Sequence, residues 1–435
     1  MQSQLKQGVD LAAVVALGLG TAVGVAIFSV IAPATALAGT GMLLSVLIAA
    51  VPMFVIAVNY AFMGSALPTS GASYEWPRRF IHPAVGFFIA WLRIAGSSSA
   101  MIVLALVLVQ YVSMLVPVPT KPTMLLLFSL VLLANLFGVG IAARVQKTLM
   151  AALVVLFLIF AGWGATAVEA VHFSVAENLN WAGVLAAVPL LVSLFFGIEA
   201  ATEVGDEVSN GRRMIPLGIA LSITSAVALY LLVAVVALGI LGTDVLSASR
   251  TPILDAATRF MGPLAKPVIV LAAVVAIGKS LNAIFMVFSR SLFAMARAGV
   301  LPPALAAVHP RWGTPHMACL AVFGCCVVCL ALPMSLTFLF LSVSIPTLLK
   351  YVTTSLCAAK VVKEHPDLYE NARFKFSPNA MRLWGYAGVV SALTVIVLGL
   401  GADVRPYYVL LGWGAIGALY YVAWQQLRPV PQPNA

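Results

Sequence analysis

Apolar residues fill this chain in about twelve long blocks separated by short polar connections. The blocks run roughly 11–35, 40–65, 84–114, 123–142, 146–168, 184–206, 215–241, 264–293, 316–333, 336–360, 382–402 and 404–426. Most are close to the ~20 residues that a helix needs to cross a bilayer at 1.5 Å rise per residue. No βαβ pattern interrupts them. The pattern predicts an all-α, polytopic membrane protein with about twelve transmembrane helices, forming a single domain over 1–435. An even number of crossings puts both termini on the same side.

Two blocks depart from plain apolar helix. In the first, Gly18, Gly20 and Gly24 with Thr21 sit where an anchor would carry leucines. A mid-helix glycine costs about 1 kcal/mol relative to alanine, and unwound backbone in hydrocarbon is tolerated only where it lines a protected cavity. The stretch therefore reads as a broken helix whose N–H and C=O groups bind something. Alternatively, Gly20 and Gly24 let a neighbouring helix approach closely. In the sixth block, Phe195-Phe196-Gly197-Ile198-Glu199 repeats the theme. Interrupted first and sixth spans correspond if the core is two five-span repeats, about 11–168 and 184–360, followed by helices 11 and 12 at about 382–426. That spacing is the sequence signature of a transport site at the membrane midplane.

Ionisable residues inside spans are the next signal, since insertion of a charge at mid-span costs roughly 2.5–3.5 kcal/mol. Arg93, Glu199, Glu203, Lys279 and Lys350 lie well inside. Glu199 and Glu203 share a face if the helix is continuous there, and Asp206 and Glu207 follow at a wet end. Internal pairing, such as Glu203 with a facing lysine, is one account of these charges. Lys279, near the midpoint of span eight, is the candidate proton carrier. Three buried cations against two buried acids also admit an acidic substrate.

The chain of 435 residues is 62% hydrophobic and only 9% charged, which excludes a soluble globular domain. Its net charge of +10 does not signal nucleic acid, because the cations cluster between apolar blocks. Arg78 and Arg79, Arg144 with Lys147 beside it, Arg212 and Arg213, Arg297 and Arg311, and the Lys363–Arg382 group fall at the even-to-odd connections, 2–3 to 10–11. The positive-inside rule then places both termini in the cytoplasm; Lys121, Arg250, Arg259 and Lys266 run against it. Asp10 before the first span, with no small-residue cleavage site after it, argues against a removable signal peptide. The five cysteines lie in apolar stretches as reduced packing residues. The five histidines sit in loops or at span edges with no metal spacing, so neither a metal nor a cofactor is expected.

At this level the chain resembles the amino acid–polyamine–organocation transporters, which have the five-plus-five inverted-repeat fold of the leucine transporter. Gly20-Thr21-Ala22-Val23-Gly24-Val25-Ala26-Ile27-Phe28 is similar to the family's glycine-rich segment ending in G-S-G-I-F. Pro68 to Tyr74 resembles its P-x-x-G-G-x-Y loop. Phe196-Gly197-Ile198-Glu199, continuing through Asp206-Glu207 and Asn210 to Ile215-Pro216, is similar to its G-F-E signature. Leu281-Asn282-Ala283, Ser289-Arg290, Ala294 to Arg297 and Leu301-Pro302 look like its eighth span and following loop.

The resemblance implies a transporter, not an enzyme, moving amino acids or related amines across the cytoplasmic membrane by alternating access. Substrate-binding residues would be Thr21, Ala22, Gly24, Val25, Ala26, Ile27, Phe195, Phe196, Ile198 and Glu199, with Lys279 and Glu203 in coupling. The substrate carboxylate would meet N–H groups near Gly24, Val25 and Ala26, and its amine the carbonyls near Ala22 and Phe195. Phe195 or Phe196 would be the lid. Val25 replaces the family's usual serine, Ala26 the following glycine and Gly211 a proline; where some proton-coupled relatives carry a lysine in span five, this chain has Leu153. Lys279 would instead occupy the place of a sodium ion between spans one and eight, giving sodium-independent symport or exchange. Glu199 does not identify a cationic substrate, since carriers of neutral amino acids often have it too. The expected partners are a small-molecule substrate and the bilayer, without nucleic acid, in a monomer or homodimer. A polyamine or organocation exchanger of the same fold, a membrane enzyme and a receptor or scaffold are the alternatives.

Overall fold

The computed structural model describes residues 8–24, 26–137, 139–173, 179–330, 336–399 and 405–427. Each of the twelve apolar blocks holds helix. The first is split into α1 (Leu11–Ala22), α2 (Ala26–Ser29) and α3 (Ile31–Ala38); α4 (Met42–Ala66) follows. A short amphipathic helix, α5 (Ala72–Phe80), leads to α6 (Pro83–Ser113), α7 (Thr120–Leu136) and α8 (Val139–Gly164). The sixth block begins as α9 (Trp181–Val192) and then dissolves into tight turns over Ser193–Phe195, Ala200–Glu203 and Gly205–Glu207. After it come α10 (Gly211–Ala248), α11 (Pro252–Met261), α12 (Ala265–Arg297) and α13 (His316–Cys329). The chain ends with α14 (Leu336–Glu364), α15 (Pro366–Asn371), α16 (Pro378–Gly399) and α17 (Arg405–Leu427). Among the described residues, seven helical stretches are long and apolar enough to cross a membrane, and α1, α7 and α13 are shorter apolar helices.

Asp10 starts α1 by accepting from the Ala13 N–H at 2.8 Å, satisfying one of the helix's orphan donors. Its carboxylate also takes a hydrogen bond from Lys147, 2.9 Å away, which holds it below the usual carboxylate range. Helix α12 is buried along most of its length and packs on α1, α6 and α8. The periphery is apolar and open: Leu383, Tyr408, Leu411 and Leu419 are each at least 70% exposed, as a lipid-facing surface requires. The aromatics of the last helix, unremarkable in sequence, form a seam: Trp91 and Trp413 stack 4.8 Å apart and each donates its indole N–H to the other's carbonyl.

Several expectations change. Arg144, expected in the 4–5 loop with Lys147 beside it, lies inside α8, which begins seven residues earlier than its apolar block, so it is helical and not a loop. Glu199 and Glu203 are not on one α-helical face, because the backbone there is a chain of turns. Glu207, expected to be wet, is 1% exposed and holds the guanidinium of buried Arg290 with two bonds of 2.7 and 3.0 Å.

Candidate functional site

The site grows from the two interruptions, which face one another. Helix α1 stops at Ala22, where Val23 still bonds back to Leu19 O at 2.8 Å while the Gly24 N–H turns onto Ala22 O at 2.9 Å. A helix ending in mid-membrane leaves carbonyls unpaired and a partial negative charge. Lys279, fully buried on α12, meets that end: its ammonium donates to Val23 O and reaches Leu19 O at 3.4 Å and Gly20 O at 3.3 Å. Ser280 adds a hydroxyl to Gly20 O at 2.5 Å. Among the described residues no carboxylate pairs with Lys279; its counter-charge is main-chain dipole.

Both readings of the glycines hold, at different positions. A Cβ on Gly20 would run into the Gln146 amide, and that amide donates to Ala16 O at 2.9 Å while accepting from Asn282 at 3.0 Å. Gly20 is therefore a packing glycine that lets α8 and α12 close on α1. Gly24 lines the cavity, and a Cβ there would press to 2.8 Å from Ser280 Oγ, so it is also a point of close approach to α12.

In the sixth block, Gly197 takes φ +98°, a conformation that side chains disfavour. It turns the chain so that Gly197 O accepts from Thr21 Oγ1 and Gly197 N–H donates to Tyr351 OH at 3.2 Å. A Cβ at 197 would overlap Thr21. Thr21–Gly197 is thus the direct link between the two broken segments.

Beside the breaks lies a cavity of about 170 Å³. Of the expected binding residues, Thr21, Ala22, Gly24, Ala26, Phe196 and Glu199 line it, as does Glu203. Phe195 does not: it is buried edge-on against Tyr230, ring centres 5.5 Å apart. Ile27 and Ile198 are buried behind the wall, and Lys279 sits behind α1's end. Val25 falls outside the described residues.

Two ion pairs complete the wall. Glu199 bonds the Lys350 ammonium and accepts from Tyr351 OH at 2.9 Å. Glu203 bonds Arg93 at 2.9 Å, and Ser73 Oγ accepts from the same guanidinium nitrogen. Internal pairing of Glu203 is therefore real, with an arginine as partner. Arg93 and Lys350 were detectable as charges in apolar blocks, but their partners depend on tertiary geometry. Tyr351 and Ser280 carried no signal beyond adjacency to a buried lysine.

Residues 9–419 match the family model described as amino acid permease. The chain is 30% identical over 330 residues to an uncharacterized transporter of Mycobacterium tuberculosis, covering 75% of this chain and 74% of that one. It is 24% identical over 427 residues to the branched-chain amino acid permease BcaP of Bacillus subtilis, covering 93% and 90%. It is also 25% identical over 393 residues to the vacuolar cationic amino acid transporter 4 of Arabidopsis thaliana, covering 84% and 64%.

Proposed function

The chain belongs to the amino acid permease family, and on that premise we propose that it carries an amino acid by alternating access through the cavity between the two interrupted segments. The carrying observation is the pair of breaks joined at Thr21 and Gly197, with main-chain groups beside a cavity walled by charged side chains. The substrate carboxylate takes N–H groups of the 24–26 segment, displacing the tight Gly24-to-Ala22 bond. The substrate amine takes the carbonyl of Ala22 thereby released. Phe196, beside Tyr351 with ring centres 6.0 Å apart, is positioned to cover the bound molecule.

Coupling falls to Lys279. An ammonium among three carbonyls at a helix end is chemically what a bound monovalent cation would be there, and it supports sodium-independent transport. Glu203, paired with Arg93 at the wall, is the second coupling group. The five-plus-five division (about 11–168 and 184–360), a cytoplasmic membrane location with both termini inside and a monomeric or homodimeric carrier belong to the same proposal. The printed names of the relatives span branched-chain amino acids, cationic amino acids and methylthioribose, so the substrate class has to be read from the site.

The test is counterflow into proteoliposomes loaded with each amino acid in turn, with and without sodium. Exchange of unmodified label that is indifferent to sodium is the expected result. Absolute dependence on sodium would overturn the coupling assignment, and no exchange of any amino acid would overturn the carrier reading.

A further inference from the structure

The polar wall of the cavity is unbalanced in a way that selects among amino acids. Both carboxylates are already paired with buried cations. Glu203 is 0% exposed; one oxygen holds Arg93 and the other accepts from the Ser73 N–H at 3.4 Å. Glu199 is 1% exposed; one oxygen holds Lys350 and the other Tyr351 OH. Each carboxylate's charge is already matched by a buried cation, so a cationic substrate would share a counter-charge and not find a free one.

Donors, by contrast, remain. A guanidinium carries five N–H donors in a rigid fork. Arg93 spends only Nη1, on Glu203 and Ser73, and its side chain is 12% exposed at the cavity wall. Among the described residues Nη2 and Nε have no acceptor. Lys350 gives one bond to Glu199 and otherwise rests over the rings of Tyr60 and Tyr351, 5.6 and 5.0 Å from their centres. The formal charges of the wall are matched. Arg93 and Lys350 are matched by Glu203 and Glu199, while Lys279 stands opposite carbonyls alone. The four charges that line the cavity therefore balance, Lys279 behind them is answered by main-chain dipole, and what the wall still offers an entering molecule is the unused donor edge of Arg93.

Resting on the carrier reading above, we infer that the substrate class is acidic amino acids, with Arg93 as the specificity residue that receives the side-chain carboxylate on its unused fork. A glutamate or aspartate side chain brings the pair of acceptor oxygens that the unused guanidinium edge lacks. Two parallel N–H···O bonds from guanidinium to carboxylate are both strong and directional.

The test uses the protein in proteoliposomes loaded in turn with glutamate, leucine or lysine, each with the same labelled amino acid outside, and with unlabelled aspartate, glutamine, leucine or lysine as competitors of the glutamate exchange. Aspartate is expected to compete at least about tenfold better than glutamine or lysine, since a charged hydrogen bond contributes about 1.5–3 kcal/mol. If leucine or lysine is carried and glutamate and aspartate neither enter nor compete, the inference fails and the carrier reading stands. If no amino acid exchanges in any loading, the carrier reading itself has failed. Arg93→Ala would strand Glu203, so the informative variant is Arg93→Gln with Glu203→Gln, which removes both charges at once. The KM for glutamate should rise tenfold to a hundredfold by the same estimate of bond strength, with glutamine affected far less. An unchanged glutamate-to-glutamine preference in that variant would overturn the role of Arg93. The wild-type competition decides the substrate class even if the variant does not fold.

Discussion

Replacing Lys279 with Met removes the ammonium from the end of α1 while keeping a long, unbranched side chain in place. The structural consequence can be worked bond by bond. Leu19 O keeps the Val23 N–H at 2.8 Å, and Gly20 O keeps the Ser280 hydroxyl at 2.5 Å. The carbonyl that loses most is Val23 O, which received the ammonium directly; a buried group left unpaired costs about 1–3 kcal/mol. Against this, an ion held away from water carries a desolvation penalty of several kcal/mol, which Met abolishes. The two oppose each other, so the variant should fold, with its thermal midpoint in detergent within several degrees of wild type. Transport should not survive. In sodium-free proteoliposomes, uptake driven by an inward proton gradient should fall to the leak of empty vesicles. A folded variant that retains full uptake with an unchanged response to the pH gradient would refute the reasoning, because Lys279 would then be a structural plug.

Gly197→Ala places a methyl on Thr21 at a φ of +98°; the variant should remain in the membrane yet lose at least about tenfold in exchange rate, consistent with a strain of 1–3 kcal/mol at the junction. Counterflow initial rates, normalised to reconstituted protein, check it. Arg290→Met leaves Glu207 as an uncompensated buried carboxylate and should destabilise by about 3–5 kcal/mol, whereas Arg290→Met with Glu207→Gln should recover most of the loss; unfolding in detergent reads both. The Asp10–Lys147 pair is 59% and 38% exposed, so Lys147→Ala should cost less than about 1 kcal/mol, an effect erased by high salt. Because folding lowers the Asp10 carboxyl below its unfolded value, that small stabilisation is present at neutral pH and is lost as pH falls below about 4.

Hydrophobic blocks are legible in the sequence because lipid demands satisfied backbone throughout each crossing, and every block indeed contains helix. Their ends are less legible. Arg144 and Lys147 interrupt the apolar run and so look like a loop, yet a helix can carry cations where they reach solvent or a partner such as Asp10. The breaks were visible as Gly24 and Gly197, but sequence could not separate Gly24 from Gly20, whose methyl-free face serves the Gln146 amide. The buried charges announced themselves by cost alone. Which acid meets which base is a property of how α6 and α14 pack on the sixth block, and no local pattern encodes it. For the same reason Phe195 and Phe196 looked equivalent, although the turn at Gly197 sends one onto Tyr230 and the other to the cavity.

The two ion pairs at the cavity wall are poor devices for stability. A buried pair repays its desolvation only with good geometry and further hydrogen bonds, and a well-packed apolar replacement is often neutral or stabilising. Glu207–Arg290, buried at 1% and 0% and doubly bonded, meets that standard away from the cavity. Arg93–Glu203 does not: one guanidinium nitrogen does all the bonding and the rest faces a cavity. A pair whose only task was to hold α6 against the sixth block would use the fork on both carboxylate oxygens, as Arg290 does. Arg93 instead gives one edge to the protein and keeps the other for whatever enters. The contrast yields a discriminating expectation. Apolar, volume-matched replacement of Glu207 and Arg290 together should leave substrate preference intact, whereas the same exchange at Glu203 and Arg93 should change which amino acid is carried before it changes how well the protein folds.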